Sequence, residues 1–346
     1  MPRSKKIKIL LTAGGTGGHF YPLIAVAREL TKQVANAGAE VDIRYFGDAR
    51  EYRADLEQAG IRITHITASK WRNYFSLQNF LDVFRFAWSI PQAFFKIFFF
   101  MPHVCFTKGG SGTLAIVYAC RFYLIPLVVH ESDSIPGKAN AIAAKSAKTI
   151  TLAFQNAASH LPKNRAVVTI VGCPIRKEIL DLQPNTPGER RASKIEFGFS
   201  PDLPLVFIFG GSQGAERLNA FVLEHIQALT EKFQILHQTG FRNFDAYRKE
   251  FAFIAKDMPQ EIASRYRFLP HLSAPEIAKA YGSCDLLVGR GGASTIFEAA
   301  ATGTPAILIP IPESAQNHQF QNAYAYHAAG GALVLEEDNL LISVFL

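Results

Sequence analysis

The chain carries near its N-terminus the run Gly14-Gly15-Thr16-Gly17-Gly18-His19, which follows a short apolar stretch at residues 7–11 and precedes an amphipathic segment. A strand, a glycine loop and the start of a helix therefore succeed one another. Glycine permits a tight turn, and the first turn of a helix offers unpaired N–H groups. The run predicts a loop that binds an anion at a helix N-terminus, with the titratable His19 at its edge.

This loop matches neither of the two common nucleotide-binding motifs. A dinucleotide fingerprint needs a third glycine where Phe20 stands, and a Walker loop needs a Gly-Lys-Ser/Thr sequence that this chain does not contain. A glycine cluster alone is also compatible with a purely structural turn. The distinction depends on the rest of the chain.

Length and charge limit the classes of protein to consider. A chain of 346 residues is long enough for two domains, and a net charge of +7 with a pI near 9.2 favours anionic partners. The four cysteines show no metal-ligand or disulfide spacing. The apolar stretch at residues 7–11 is too short for a signal peptide, so we expect a cytoplasmic protein.

The order of strand, glycine loop and helix occurs three times, at residues 7–30, 204–229 and 285–301. Further apolar runs at residues 41–46, 124–130 and 306–309 alternate with helical patterns. Alternation of this kind predicts an α/β fold of parallel sheets covered by helices, with ligands bound beyond the carboxyl ends of the strands. We expect two such units, joined by a proline-rich and polar linker within residues 174–204, with their glycine loops on either side of a cleft.

Residues 71–101 are crowded with aromatic side chains but interrupted by Arg85, Pro91 and Lys96. Since a membrane-spanning helix needs about 20 largely apolar residues, these interruptions exclude one here. We interpret the segment as an interfacial element whose aromatic rings enter the headgroup region of an anionic membrane. The alternative is that the rings belong to core helices of the first domain, and both interpretations hold if only one face points inward.

Other glycine and amide motifs carry candidate chemistry. The loop 210–215 offers backbone N–H groups and the Ser212 hydroxyl to a diphosphate, and the loop 289–294 leads into a helix that carries Glu298. A buried Glu298 would accept hydrogen bonds from a ribose diol, whereas an exposed one would only stabilise the helix dipole. The amides of residues 316–322 suit sugar hydroxyls, and the carboxylates of residues 130–137 suit an acceptor.

No metal site is expected, because the sequence has no Asp-x-Asp pair and its histidines are far apart. The charge of a departing diphosphate would then be met by helix N-termini and by basic side chains such as Arg176. We therefore expect no cofactor.

Taken together, the motifs resemble those of the MurG family of glycosyltransferases, in glycosyltransferase family 28. The resemblance covers nearly the whole chain. It rests on residues 14–19, 108–111, 130–133 with 136–137, 172–176, 210–215, 290–298 and 319–322.

The resemblance implies a GT-B architecture of two Rossmann-like domains, an N-terminal acceptor and membrane domain at residues 1–175 and a C-terminal donor domain at residues 176–346. It implies transfer of N-acetylglucosamine from UDP-N-acetylglucosamine to the C4 hydroxyl of the N-acetylmuramic acid of undecaprenyl-linked lipid I, giving lipid II for peptidoglycan. We expect a peripheral enzyme on the cytoplasmic face of the cell membrane. The family ends with a helix that would begin near Leu346, so we expect that helix to be truncated.

The resemblance also assigns roles to residues. The acceptor hydroxyl would attack the anomeric carbon as UDP leaves, with inversion, and His19 is the first candidate for the general base and Asp133 the second. Glu298 would contact the ribose, and Leu272 would lie beside the uracil. The residues expected to bind UDP-N-acetylglucosamine are Thr16, Gly17, Gly18, Asp133, Arg176, Ser212, Leu272, Ala293, Ser294, Thr295, Ile296, Phe297, Glu298 and Gln319.

Two alternatives to this function remain at the sequence level. One is a related UDP-sugar transferase acting on another lipid acceptor, diacylglycerol or a polyprenyl chain, which the aromatic segment suits equally well. The other is a relative of the same fold that has lost turnover, against which His19, Arg176, Glu298 and Gln319 argue. Nucleic-acid binding is not expected, since the basic residues are spread along the chain without a binding motif.

Overall fold

The computed structural model describes residues 6–15, 17–68, 77–162, 165–182, 186–211, 214–242 and 244–346. Contacts between Cα atoms divide the chain into two compact units, Met1–Pro174 and Ile175–Leu346. Thr16, Ser212 and residues 71–76 of the aromatic segment, which carry sequence-based predictions, lie outside the described residues.

The first unit is built on a parallel sheet of seven strands in the order β3-β2-β1-β4-β5-β6-β7. The strands are β1 Lys6–Thr12, β2 Glu40–Gly47, β3 Arg62–His65, β4 Val104–Thr107, β5 Leu127–Glu131, β6 Thr149–Leu152 and β7 Val167–Ile170. The helices are α1 Gly17–Asn36, α2 Arg53–Gln58, α3 Leu77–Phe100, α4 Leu114–Phe122 and α5 Lys138–Ala144.

Two apolar cores cover the two faces of this sheet. Successive strand residues point to opposite faces, so Leu10 enters the core shared with α3, α4 and α5, whereas Ile9 and Leu11 enter the core shared with α1 and α2. Burial on both faces explains why β1 is a continuous apolar run rather than an alternating one.

The second unit repeats the plan with six parallel strands in the order β10-β9-β8-β11-β12-β13. The strands are β8 Leu205–Phe209, β9 Gln234–Gln238, β10 Tyr266–Leu269, β11 Leu286–Gly289, β12 Ala306–Leu308 and β13 Ala332–Val334. The helices are α6 Lys177–Leu180, α7 Pro187–Glu196, α8 Glu216–Glu224, α9 Ile226–Lys232, α10 Phe244–Ile254, α11 Gln260–Ala263, α12 Ala274–Ser283, α13 Ala293–Thr302, α14 His318–Ala328 and α15 Ile342–Phe345.

Two local features differ from the sequence interpretation. The boundary between the units falls at the start of the predicted linker 174–204, and the described part of that stretch contains two helices of the second unit, α6 and α7, of which α7 starts with a capping box between Thr186 and Glu189. The strand expected at residues 124–130 begins only at Leu127, since Leu124 has a φ of 56° and closes a turn after α4.

The topology fixes where a ligand site would form. Strand order reverses between β1 and β4 in the first sheet and between β8 and β11 in the second. At such a switch point the loops that follow the two central strands diverge and leave a crevice at the carboxyl edge of the sheet. The predicted glycine loops follow three of these four strands: β1, β8 and β11.

Candidate active site

In the first unit, the glycine loop after β1 packs directly on the loop after β4. The Gly14 N–H donates to the Gly109 carbonyl at 2.6 Å, and a Cβ on Gly14 would lie 2.6 Å from the Gly110 Cα. Gly110 has a φ of 100°, which also disfavours any residue with a side chain. The two loops therefore touch backbone to backbone, and this contact requires glycine on both sides.

The candidate base His19 stands in the first turn of α1. That helix begins at Gly17, so the N–H groups of its first turn lack partners within the helix. His19 is half-buried, and Gly18 beside it is exposed. This position combines an imidazole with the positive end of a 20-residue helix.

The second candidate, Asp133, belongs to a loop that a buried carboxylate organises. Glu131, at the end of β5, accepts hydrogen bonds from the Asp133 N–H at 2.9 Å, the Gly137 N–H at 3.1 Å and the Asn140 amide at 2.8 Å. Burial and the charge of Asp133 raise the pKa of Glu131 to about 7. Glu131 thus fixes the course of the chain from Asp133 to the start of α5.

The raised pKa of Glu131 predicts a specific dependence of stability on pH. Between the ordinary value of 4.5 and about 7, the folded protein holds a proton that the unfolded chain has lost, so stability falls as pH rises through this window. The difference amounts to about 3 kcal/mol in unfolding free energy. Buried His130 and His237, whose pKa values are lowered, change stability in the opposite direction, so the Glu131 contribution is read as a difference between two proteins. In urea unfolding from pH 4.5 to 7.5, the stability of the wild type relative to Glu131→Gln should fall as pH rises; parallel profiles would contradict it.

In the second unit, two of the residues predicted to bind the UDP-sugar form an ion pair with each other. The Arg176 guanidinium donates to the Glu298 carboxylate at 2.7 Å, and the side chains are 8% and 2% exposed. Burial raises the pKa of Glu298, and the charge of Arg176 opposes that shift. Glu298 is therefore a buried carboxylate rather than an exposed acid at a helix start.

The other predicted donor residues surround the start of α13. Its first five residues are Ala293, Ser294, Thr295, Ile296 and Phe297, and the preceding Gly292 adopts an extended conformation. The backbone of Gln319, at the start of α14, lies so close to Gly291 that a Cβ there would be 2.3 Å from the Gln319 carbonyl. The Gln319 side chain accepts a hydrogen bond from the Ile311 N–H at 3.2 Å.

Leu272 occupies the loop after β10 and is buried. Four predicted site residues of the first unit lie in its described part, on loops or helix starts after β1 and β5: Gly17, Gly18, His19 and Asp133. The nine predicted site residues in the described part of the second unit lie at the carboxyl edge of its sheet or at the start of α6.

Sequence reasoning missed a charge network that links three loops of the second unit. Arg290, in the loop before α13, pairs with Glu337 at 2.6 Å, and both side chains are buried. Glu337 also pairs with Arg217 of α8 at 2.5 Å, and Arg217 pairs in turn with Glu313 after β12 at 2.8 Å. No local pattern could reveal it, since the partners lie up to 120 residues apart.

A second missed residue is Tyr281 of α12. Its side chain is buried, and both burial and the nearby charge of Glu298 raise its pKa far above the ordinary value. Tyr281 therefore stays a neutral phenol beside the carboxylate. Within the ranges that the structure describes, no three His, Cys, Asp or Glu side chains are grouped as metal ligands.

Family models match both units. Residues 9–152 match the glycosyltransferase family 28 N-terminal domain, and residues 205–344 match the family 28 C-terminal domain. The UDP-N-acetylglucosamine–N-acetylmuramyl-(pentapeptide) pyrophosphoryl-undecaprenol N-acetylglucosamine transferase of Treponema denticola is 32% identical over 98% of this chain and 86% of its own length. The chain belongs to glycosyltransferase family 28.

Solved structures agree with the family 28 assignment. MurG of Acinetobacter baumannii superimposes with a TM-score of 0.67 at 25% identity, covering 98% of this chain and 88% of its own. UDP-GlcNAc 2-epimerase from Neisseria meningitidis, bound to UDP-GlcNAc, superimposes with a TM-score of 0.64 over 98% of this chain and 90% of its own, but at 14% identity it shows only the fold. The predicted GT-B class and glycosyltransferase activity are confirmed.

Proposed function

We propose that this family 28 glycosyltransferase moves N-acetylglucosamine from UDP-N-acetylglucosamine to the N-acetylmuramic acid C4 hydroxyl of lipid I, forming lipid II for peptidoglycan. The observation that carries the proposal is the nearly full-length match to transferases named for this reaction, at 32–34% identity. The match to the N-terminal and C-terminal domains of the family includes both units, which supports the proposal.

The second unit would bind the donor. Glu298 is buried, and its carboxylate is held in place by the ion pair with Arg176. A carboxylate held in this way can accept hydrogen bonds from the two hydroxyls of a ribose. The N-terminus of α13 and the loop after β8 supply N–H groups for the diphosphate, with Ser212 and the residues Ala293–Phe297 as the proposed contacts. Leu272 would lie beside the uracil, and Gln319 beside the sugar.

The reaction would be a single displacement. The acceptor oxygen forms a bond to the anomeric carbon while the bond from that carbon to the UDP oxygen breaks, which inverts the configuration. A general base takes the proton of the attacking hydroxyl. His19 is the first candidate and Asp133 the second. The diphosphate leaves as an anion, and Arg176 and the helix N-termini stabilise its charge.

One face of α3 supports docking on a membrane. Trp88, Phe95 and Phe99, at helical spacing, are 64%, 66% and 67% exposed, whereas Ala93 and Ile97 on the opposite side are buried in the core. Exposed aromatic rings in such a stripe are unusual on a purely soluble surface. We name Trp88, Phe95 and Phe99 the aromatic stripe of α3.

None of the helices in the described ranges has the length and apolar character needed to span a bilayer. Peripheral binding would instead insert the aromatic stripe into the headgroup region, with the basic charge of the chain attracting anionic lipid. We propose this location at the cytoplasmic face of the cell membrane.

The double substitution Trp88→Ser with Phe95→Ser tests the stripe. Loss of two inserted rings is expected to weaken binding to phosphatidylglycerol vesicles about 30-fold, as measured by flotation. Phe253→Ser is the matched control, because Phe253 is 69% exposed but lies on α10 of the second unit. Higher salt should also release the wild type. Equal vesicle binding by the double variant and the wild type would contradict the proposal.

The acceptor is tested by radiolabelled transfer from UDP-N-acetylglucosamine. Labelled lipid II is expected with lipid I, and no product is expected with diacylglycerol. If product formed with diacylglycerol and not with lipid I, the acceptor would be diacylglycerol, and the proposed function would be wrong. Absence of UDP release with both acceptors at saturating donor would instead indicate a relative that binds but does not turn over.

A further inference from the structure

The side chain of Gln238, the last residue of β9, joins two loops of the second unit. Its Oε1 accepts a hydrogen bond from the Leu272 N–H at 2.8 Å, and its Nε2 donates to the Gly211 carbonyl at 3.1 Å. The side chain is fully buried. Because β9 lies between β8 and β10, the Gln238 side chain bonds to the loop after β8 on one side and to the loop after β10 on the other.

The end of β9 holds the loop after β8 at a second point. A Cβ on Gly214 would lie 2.4 Å from the Thr239 carbonyl, so this part of the loop rests directly on the strand end. The same carbonyl accepts from the Asn219 amide of α8 at 2.8 Å. The Gly211 carbonyl also accepts from the Gly214 N–H at 3.1 Å, which closes the turn. The two ends of the turn thus lie against the end of β9, with Gly211 bonded to Gln238 and Gly214 packed on Thr239.

We propose that Gln238 is a positioning residue that sets the separation between the diphosphate loop and the uracil loop. The inference rests on the proposed function, in which the loop after β8 receives the diphosphate and Leu272 lies beside the base. Gln238 touches neither group. Gln238 makes binding at the two loops cooperative, because a nucleotide bound at one loop finds the other loop already at the distance that matches the length of the nucleotide.

Replacing the Gln238 amide removes hydrogen bonds that join the two loops. In Gln238→Met the Leu272 N–H loses its buried partner, and the Gly211 carbonyl loses one of its two donors. In Gln238→Glu, assayed at a pH where the new carboxyl is ionised, one carboxylate oxygen still accepts from Leu272, but the other faces the Gly211 carbonyl as a second acceptor. A protonated carboxyl would instead donate to that carbonyl, as the amide does. The first variant frees both loops, and the second frees only the diphosphate loop.

The test compares the dissociation constants of uridine, UMP and UDP by titration calorimetry of the full chain. In Gln238→Met, UDP is expected to bind about tenfold more weakly, because binding must now fix the two loops relative to each other. Uridine should change less than threefold, so the gain in affinity from uridine to UDP shrinks. The donor KM should rise by the same factor, with kcat affected less.

Gln234→Met is the matched control. Gln234 is the first residue of β9, is buried, and bonds to the Ser200 backbone N–H and to the Ser200 and Leu203 carbonyls at the opposite edge of the sheet. It should lower the melting temperature and leave the uridine-to-UDP gain unchanged. The same shrinkage in Gln234→Met would show a general structural effect and overturn the inference.

Two further results would overturn it. One is an equal loss of uridine and UDP affinity in Gln238→Met, which would reduce Gln238 to a support for the uracil loop. The other is unchanged binding of all three ligands. If Gln238→Met does not fold, Gln238→Glu is judged by the same comparison. A wild type that fails to bind UDP would overturn the proposed function itself, before any variant is compared.

Discussion

Glu298→Gln is expected to raise the donor KM about 10–100-fold, since a neutral amide replaces the charged acceptor proposed for the ribose diol. The same change leaves the buried Arg176 without its carboxylate at 2.7 Å. Breaking a buried pair on one side costs about 3–5 kcal/mol. Initial rates over a range of UDP-N-acetylglucosamine concentrations and urea unfolding would measure the two effects.

A double variant separates these two effects. Arg176→Met with Glu298→Leu replaces both buried charges by apolar side chains, so much of the stability should return. Donor binding should stay weak, because neither the carboxylate nor the guanidinium is restored. A stable double variant with the wild-type KM would show that the pair is structural and that the donor is held elsewhere.

His19→Ala is expected to lower kcat by about 100- to 10,000-fold, the usual contribution of a general base. UDP binding should stay within threefold of the wild type, since the second unit is proposed to hold the nucleotide. Turnover with saturating lipid I and UDP titration measure the two quantities.

Asp133→Asn is the partner experiment, because Asp133 is the second candidate. If His19 is the base, Asp133→Asn should affect the acceptor KM more than kcat. Wild-type turnover in His19→Ala together with a collapse of kcat in Asp133→Asn would transfer the role to Asp133. The backbone N–H of Asp133 that bonds to Glu131 is unchanged by the substitution, so the loop should keep its course.

The parallel sheets and glycine loops could be predicted from the sequence because their signals are local. An apolar strand, a glycine loop and a helix start occupy about 20 consecutive residues, and the switch point then follows from strand order. The assignment of individual residues depended on the family resemblance. The buried state of Glu298 was left open by the sequence, since burial is a property of the packing around α13.

The connections between loops could not be predicted, because they join residues distant along the chain. Gln238 bonds to Leu272 across 34 residues, and Arg217 bonds to Glu337 across 120. Each of these residues resembles an ordinary polar position in its local context. The helices found in the stretch 174–204 were missed for a different reason, since its prolines and polar residues also suit a first helical turn with a capping box.

The hydrogen bond from Gly14 to Gly109 has a consequence for amide exchange in solution. The Gly14 amide hydrogen already has a protein acceptor at 2.6 Å, so it should exchange slowly with deuterium whether or not a ligand is present. The Gly17 and Gly18 amides, at the start of α1, have no acceptor four residues earlier within the helix and should exchange faster until an anion binds there. On one short peptide, the Gly14 amide would then be an internal reference, and the Gly17 amide would report whether an anion is bound.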